Sequence, residues 1–108
     1  MTAFDYRTVA QADELLPGEA TLVQYGRLNV LLFNVGGDYY AVEDRCSHAD
    51  VRLSDGEIDL SACQITCPRH GSRFDLLTGQ ALTPPALTPL IRFDVQQVNN
   101  SLQIRRRD

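Results

Sequence analysis

The chain has 108 residues, the length of one domain, and 44% of them are hydrophobic while 22% are charged. This balance excludes a disordered or low-complexity chain and predicts a single folded unit with its own core. The chain has fourteen acidic residues, ten arginines and no lysine, and its net charge is −4. A moderately acidic surface argues against a nucleic-acid partner.

No segment of the sequence predicts export or membrane insertion. The N-terminal segment has no apolar run of seven or more residues, and no later run approaches the roughly 18 apolar residues of a spanning helix. We therefore expect a soluble, cytoplasmic protein with no membrane partner. The three cysteines are an odd number, and in a reducing compartment they are available to metal rather than to a disulfide framework.

Short hydrophobic runs rich in Val, Leu, Tyr and Phe predict β-strands along the whole chain. In chain order we predict strands at residues 4–9, 20–25, 28–35, 39–42, 64–66, 73–76, 80–82, 90–95 and 102–105. Residues 11–16 are the one helix candidate, a single turn. Turn residues separate the strands, among them Gly36-Gly37-Asp38 and the proline-rich segment 83–89. The pattern predicts an all-β fold, an antiparallel sandwich or small barrel.

Both histidines of the chain lie next to a cysteine. One residue separates Cys46 from His48, two separate Cys67 from His70, and 18 lie between the two motifs. Thiolate and imidazole are ligands that suit zinc, copper and iron–sulfur centres. The spacing predicts two opposed loops, each giving one sulfur and one nitrogen to a metal centre. We interpret Cys63, on the strand before the second loop, as a small buried side chain rather than a ligand.

These motifs resemble the Rieske pattern, in which two histidines replace two cysteines on one iron of a [2Fe–2S] cluster. The resemblance extends to the sequence CPRHGSRFD at residues 67–75, to Thr78-Gly79 and to Pro84-Pro85, which look like the second cluster loop, its hairpin and the covering proline loop. Residues 53–57 look like the turn after the first loop.

The resemblance implies one Rieske-type [2Fe–2S] cluster, with Cys46 and Cys67 on one iron and His48 and His70 on the other. It also implies a single Rieske domain. In it a cluster-binding subdomain of two opposed loops, at about residues 43–82, is inserted in a β base domain formed by residues 1–42 and 83–108.

One difference from the family pattern indicates which type of Rieske protein the chain resembles. Rieske proteins of respiratory and photosynthetic complexes have an extra cysteine in each loop, joined by a disulfide, whereas the matching positions here are Val51 and Arg69. The chain instead resembles the ferredoxin component of bacterial ring-hydroxylating dioxygenase systems. That implies a monomeric one-electron carrier between a flavin-dependent ferredoxin reductase and a terminal non-haem iron oxygenase.

In high-potential members a serine two residues after the second histidine donates a hydrogen bond to a bridging sulfide, and a tyrosine two residues further donates to a cysteine sulfur. Here these positions are Ser72 and Phe74. The resemblance therefore implies that Ser72 hydrogen bonds to the cluster. It also implies a potential below the upper half of the Rieske range.

Three alternatives remain open. The chain could be the small Rieske-like subunit of an assimilatory nitrite reductase, an accessory ferredoxin of another iron enzyme, or a structural zinc domain with two cysteine and two histidine ligands. With both histidines committed to the cluster, none is left for a mononuclear iron held by two histidines and a carboxylate. We therefore predict no catalytic residues and no enzyme activity of its own.

Overall fold

The computed structural model describes residues 5–107, and its regular structure there is almost entirely antiparallel β-sheet. Within these residues the strands are β1 (Arg7–Gln11), β2 (Ala20–Tyr25), β3 (Leu28–Val35), β4 (Asp38–Glu43), β5 (Glu57–Asp59), β6 (Gln64–Thr66), β7 (Arg73–Asp75), β8 (Arg92–Val98) and β9 (Ser101–Arg106). Two short 3₁₀ turns cover Ala12–Glu14 and Leu53–Asp55. The all-β prediction is confirmed.

The strands form two sheets. Six of them make a large sheet in the order β1-β9-β8-β4-β3-β2, whose edge strands β1 and β2 approach each other so that it is nearly a closed barrel. The other three, β5-β6-β7, form a small sheet whose sequence lies between β4 and β8.

The long hydrophobic run of β3 is explained by two cores, one on each face of the strand. Successive side chains of a strand point to opposite faces. Val30 and Leu32 accordingly pack inside the large sheet with residues such as Ile104. Leu31 and Phe33 pack on the other side, in the core that also contains both cysteines of the predicted metal site.

The small sheet turns one apolar face toward that second core. Ile58, Ile65 and Phe74 lie directly opposite one another on β5, β6 and β7, and the last two are fully buried. The loop between β4 and the second 3₁₀ turn, and the loop between β6 and β7, therefore start from fixed strands. These are the two loops that carry the Cys and His motifs.

Several sequence predictions need correction. The first strand covers residues 7–11 rather than 4–9, and Phe4 lies outside the described residues. The helical turn is a 3₁₀ turn at Ala12–Glu14. The predicted strand at 80–82 is wrong, because only Ala81 forms a bridge, to Phe74. The pairing stops there since the hydroxyl of Thr83, rather than a backbone carbonyl, accepts the N–H of Arg73 at 2.8 Å.

Sequence patterning missed β5, because Glu57–Asp59 has one apolar residue between two acidic ones and shows no run. Its register opposite β6 makes it a strand, which tertiary pairing decides. None of the helices within residues 5–107 has the length and apolar character needed to cross a membrane.

Candidate metal centre

The first loop, residues 44–52, is closed at its base by a buried carboxylate. Asp44, 3% exposed, accepts hydrogen bonds from the backbone N–H of Ser54 at 2.7 Å and from its hydroxyl at 2.5 Å. Inside the loop the N–H of Cys46 donates to the carbonyl of Val51 at 3.0 Å. This arrangement buries Cys46, 2% exposed, and leaves His48 exposed two residues later.

The second loop, residues 67–72, closes on itself. The N–H of Cys67 donates to the carbonyl of Ser72 at 2.7 Å, and the N–H of Gly71 donates to the carbonyl of Cys67 at 3.1 Å. Gly71 has φ +75°, a conformation that costs glycine little and other residues more. Cys67 is buried at 1% exposure, whereas His70 is exposed.

The four predicted ligands therefore form two pairs at two depths. The thiols of Cys46 and Cys67 lie side by side in the core. The imidazoles of His48 and His70 meet at the surface, with ring centroids 5.5 Å apart and planes at 67°. Within residues 5–107 no three Cys, His, Asp or Glu side chains gather around one point. A sulfur pair beneath a nitrogen pair suits a group with two metal atoms.

The surroundings of Cys46 disfavour a free thiolate but place two backbone donors at its sulfur. Burial raises the pKa of the Cys46 thiol, and backbone N–H groups of His48 and Ala49, which point at the sulfur, lower it in part. The neighbouring Cys67 raises the pKa again, so that the net shift is upward. The two N–H groups are donors already aimed at the sulfur, while metal binding must release the thiol proton.

Both loops are tied to the proline-rich segment 83–89, which we call the covering segment. The hydroxyl of Ser47 donates to the carbonyl of Thr88. Ser72 is fully buried, and its hydroxyl oxygen accepts the N–H of Ala86 at 3.1 Å. The Pro84-Pro85 peptide bond within this segment is cis.

Residues that sequence reasoning did not single out support the loops. Gly56 lies so close to the strand before the second loop that a Cβ there would be 2.0 Å from the carbonyl oxygen of Thr66. Asp44 and Ser54 close the first loop across ten residues. The sequence carries the glycine as a turn signal, but no local pattern indicates that it touches a second loop.

The position predicted for Cys63 is wrong in two respects. Cys63 lies in the turn before β6 rather than on a strand, with φ +55°, and it is partly rather than fully buried. Its thiol donates to the carbonyl of Leu60 at 3.4 Å.

The family model of the Rieske [2Fe-2S] domain matches residues 5–98, nearly the whole chain. The chain belongs to the Rieske family. Over 66 residues it is 46% identical to the ferredoxin subunit of 3-phenylpropionate/cinnamic acid dioxygenase from Escherichia coli (strain K12), an alignment that spans 61% of each protein. The match thus covers less than two thirds of that relative.

Solved structures match this Rieske chain over more of its length. The ferredoxin of carbazole 1,9a-dioxygenase from Nocardioides aromaticivorans IC177 superposes with a TM-score of 0.82 at 30% identity, over 92% of this chain and 95% of that one. A chain in the complex of reduced oxygenase and oxidised ferredoxin of carbazole 1,9a-dioxygenase gives 0.80 at 31% identity, over 92% and 91%. These matches confirm the resemblance to Rieske-type ferredoxins.

The cofactor of this Rieske chain is one [2Fe–2S] cluster. The site is suited to it on its own geometry, since two buried thiols and two surface imidazoles are the donor set that such a cluster takes. The relatives are named as ferredoxins or ferredoxin subunits, which are electron-transfer components rather than catalytic ones.

Proposed function

We propose that this Rieske chain carries single electrons, as a cytoplasmic monomer, from a flavin-dependent ferredoxin reductase to a terminal non-haem iron oxygenase. The observation that carries the proposal is the depth of the ligand pairs. His48 and His70 reach the surface while Cys46 and Cys67 are buried, so the imidazole edge offers a partner the shortest approach. The relatives' names and the carbazole complex of ferredoxin with oxygenase support the same role.

In this proposal Cys46 and Cys67 bind one iron, and His48 and His70 bind the other. The cluster supplies reversible one-electron chemistry when bound. Residues 43–82 act as the cluster-binding subdomain, and residues 1–42 and 83–108 act as the β base domain. The buried Asp44 keeps the first loop closed, so that it does not have to order itself when a partner arrives.

The remaining polar groups of the site would favour the reduced form. The N–H groups of His48 and Ala49 point at the sulfur of Cys46, and a hydrogen bond to sulfur stabilises added negative charge. The oxygen of Ser72 already accepts the N–H of Ala86, which leaves the hydroxyl hydrogen to donate to a cluster sulfur. We assign Ser72 this role.

The end of the molecule near the imidazoles also carries positively charged side chains that a partner can contact. Arg52, Arg69 and Arg73 are exposed, and within residues 5–107 none of them forms an ion pair. The carboxylate of Asp50 lies near these arginines in the sequence, but it pairs with Arg45, whose Nε is 3.5 Å from its Oδ1. Free guanidinium groups there favour a partner with an acidic face.

Reconstitution tests the proposal. The cluster-loaded chain is combined with the flavin-dependent reductase and terminal oxygenase purified from the same organism, with NAD(P)H as electron source, and oxygenated product is measured. Product formation should require the chain and saturate with it. A chain that the reductase reduces but that leaves the oxygenase oxidised would contradict the proposal. The same reduced chain offered to a nitrite reductase tests the main alternative.

A further inference from the structure

One large apolar side chain of the covering segment has almost no cover. Leu87 is 87% exposed, the most exposed large hydrophobic side chain within residues 5–107. Ala86, the residue before it, is 2% exposed, and Leu90, the residue just after the covering segment, is 5% exposed. The segment is therefore packed onto the protein through Ala86, while Leu87 is the one large hydrophobic side chain among its exposed residues.

The backbone on each side of Leu87 is held by a different cluster loop. Before it, the N–H of Ala86 donates to Ser72 of the second loop at 3.1 Å. After it, the carbonyl of Thr88 accepts the hydroxyl of Ser47 of the first loop. Because the residues on both sides of Leu87 are hydrogen bonded to the loops, the backbone of Leu87 has little conformational entropy to lose when a partner binds it.

Leu87 directly precedes two residues that line a cleft with one of the exposed ligands. Thr88 and Pro89 line the same surface cleft as Ser47 and His48. Isolated exposed leucines are common on protein surfaces and need no function. Leu87 differs from Leu16 and Leu22, which are 57% and 49% exposed on the large-sheet side, because its backbone is fastened to both loops of the metal site.

We propose that Leu87 is the apolar anchor of the surface through which this chain docks its redox partner. The inference rests on the proposed function and names the chemistry of the partner's face. That face has an apolar pocket for Leu87 beside its electron-accepting centre, with acidic groups around it that meet Arg69 and Arg73. One exposed leucine in a small contact gives recognition without the tight binding that would slow release of a carrier.

The test uses the cluster-loaded, reduced chain and the terminal oxygenase purified from the same organism. Stopped-flow mixing gives the second-order rate constant for electron transfer. Leu87→Ser should lower it about tenfold, because the partner's pocket loses its apolar contact. Leu87→Met should keep the wild-type rate, and Leu16→Ser is the matched control on the far side. No variant should change the reduction potential of the chain or the rate at which ferricyanide oxidises the reduced chain.

Each outcome decides the matter. If Leu87→Ser transfers electrons at the wild-type rate while the wild-type chain is functional, Leu87 is not the docking anchor and the proposed function stands. A changed potential in Leu87→Ser also overturns the anchor, because the residue would then act on the cluster rather than on the partner. A wild-type chain that passes no electrons to the oxygenase overturns the proposed function, and the anchor with it.

Discussion

The hydroxyl oxygen of Ser72 accepts the backbone N–H of Ala86 at 3.1 Å, in a site where Ser72 has no exposed surface. A hydroxyl that accepts one hydrogen bond keeps its own hydrogen for another. The contact therefore orients the serine and leaves its hydrogen available for the bond to a cluster sulfur that we propose.

Ser72→Ala should lower the reduction potential. Loss of one donor to sulfur costs the reduced form about 1 kcal/mol, which is roughly 40 mV for one electron. Phe74→Tyr should raise it by a similar amount, because Phe74 is fully buried in the same core as both ligand cysteines and a hydroxyl there adds a donor. Redox titration of both variants and the wild type measures the shifts. Unchanged potentials in both would rule out this tuning.

The ligand assignment predicts that two of the three cysteines and both histidines are needed for the cluster. Alanine at Cys46, His48, Cys67 or His70 should abolish cluster assembly or severely damage it, while Cys63→Ser should retain about two irons and two sulfides per chain. Iron, sulfide and zinc analysis of purified protein checks this. Zinc in protein made with ample iron and sulfide would support the structural zinc alternative instead.

Charge reversal at Arg69 should slow association with the oxygenase. Arg69 is exposed and without an ion pair within residues 5–107, so Arg69→Glu replaces attraction with repulsion at an acidic partner face. At low salt we expect the association rate to fall roughly threefold to tenfold, and the difference to shrink as salt rises.

Asp38→Arg provides a control with a charge change of the same magnitude and opposite sign. Asp38 begins β4, at the end of the strand away from the first cluster loop, and its replacement should leave the rate close to that of wild type. Equal rates for Arg69→Glu and wild type at low salt would remove Arg69 from the docking surface.

Gly56→Ala should prevent stable assembly of the site. The new Cβ would lie 2.0 Å from the carbonyl oxygen of Thr66, and the next nearest atoms belong to the backbone and the ring of Pro68, so no flexible side chain can move aside. We expect destabilisation by more than about 4 kcal/mol, with little iron retained.

Gly36→Ala separates this clash from a general glycine effect. Gly36 has φ +63°, yet a Cβ added there would have no other atom within 4 Å, so only backbone strain of about 1–2 kcal/mol is expected. Iron content and thermal unfolding of the two variants give the comparison. Similar losses in both would show that the contact with Thr66 is not decisive.

The sequence alone was sufficient for the chemistry of the site and for most strands. Two Cys-His motifs each lie within a few residues of chain, so their spacing is visible without a structure. The strands at 20–25 and 28–35 were predicted with the bounds they have, because hydrophobic side chains are concentrated within each run. The bounds predicted for the strand at 64–66 were also correct. Where the run is short and acidic, as in β5, the same reasoning failed.

Only the tertiary structure decided what surrounds the ligands. The depth of each pair, the contact of Gly56 with Thr66 and the two anchors beside Leu87 depend on residues far apart in the chain: Ser72 and Ala86 are 14 positions apart, Ser47 and Thr88 41. Such contacts leave no periodic pattern, because each is one pair brought together by the packing of two sheets. The sequence therefore determined which side chains are available to bind the metal in our proposal, and the packing of the loops determined which of them a partner can reach.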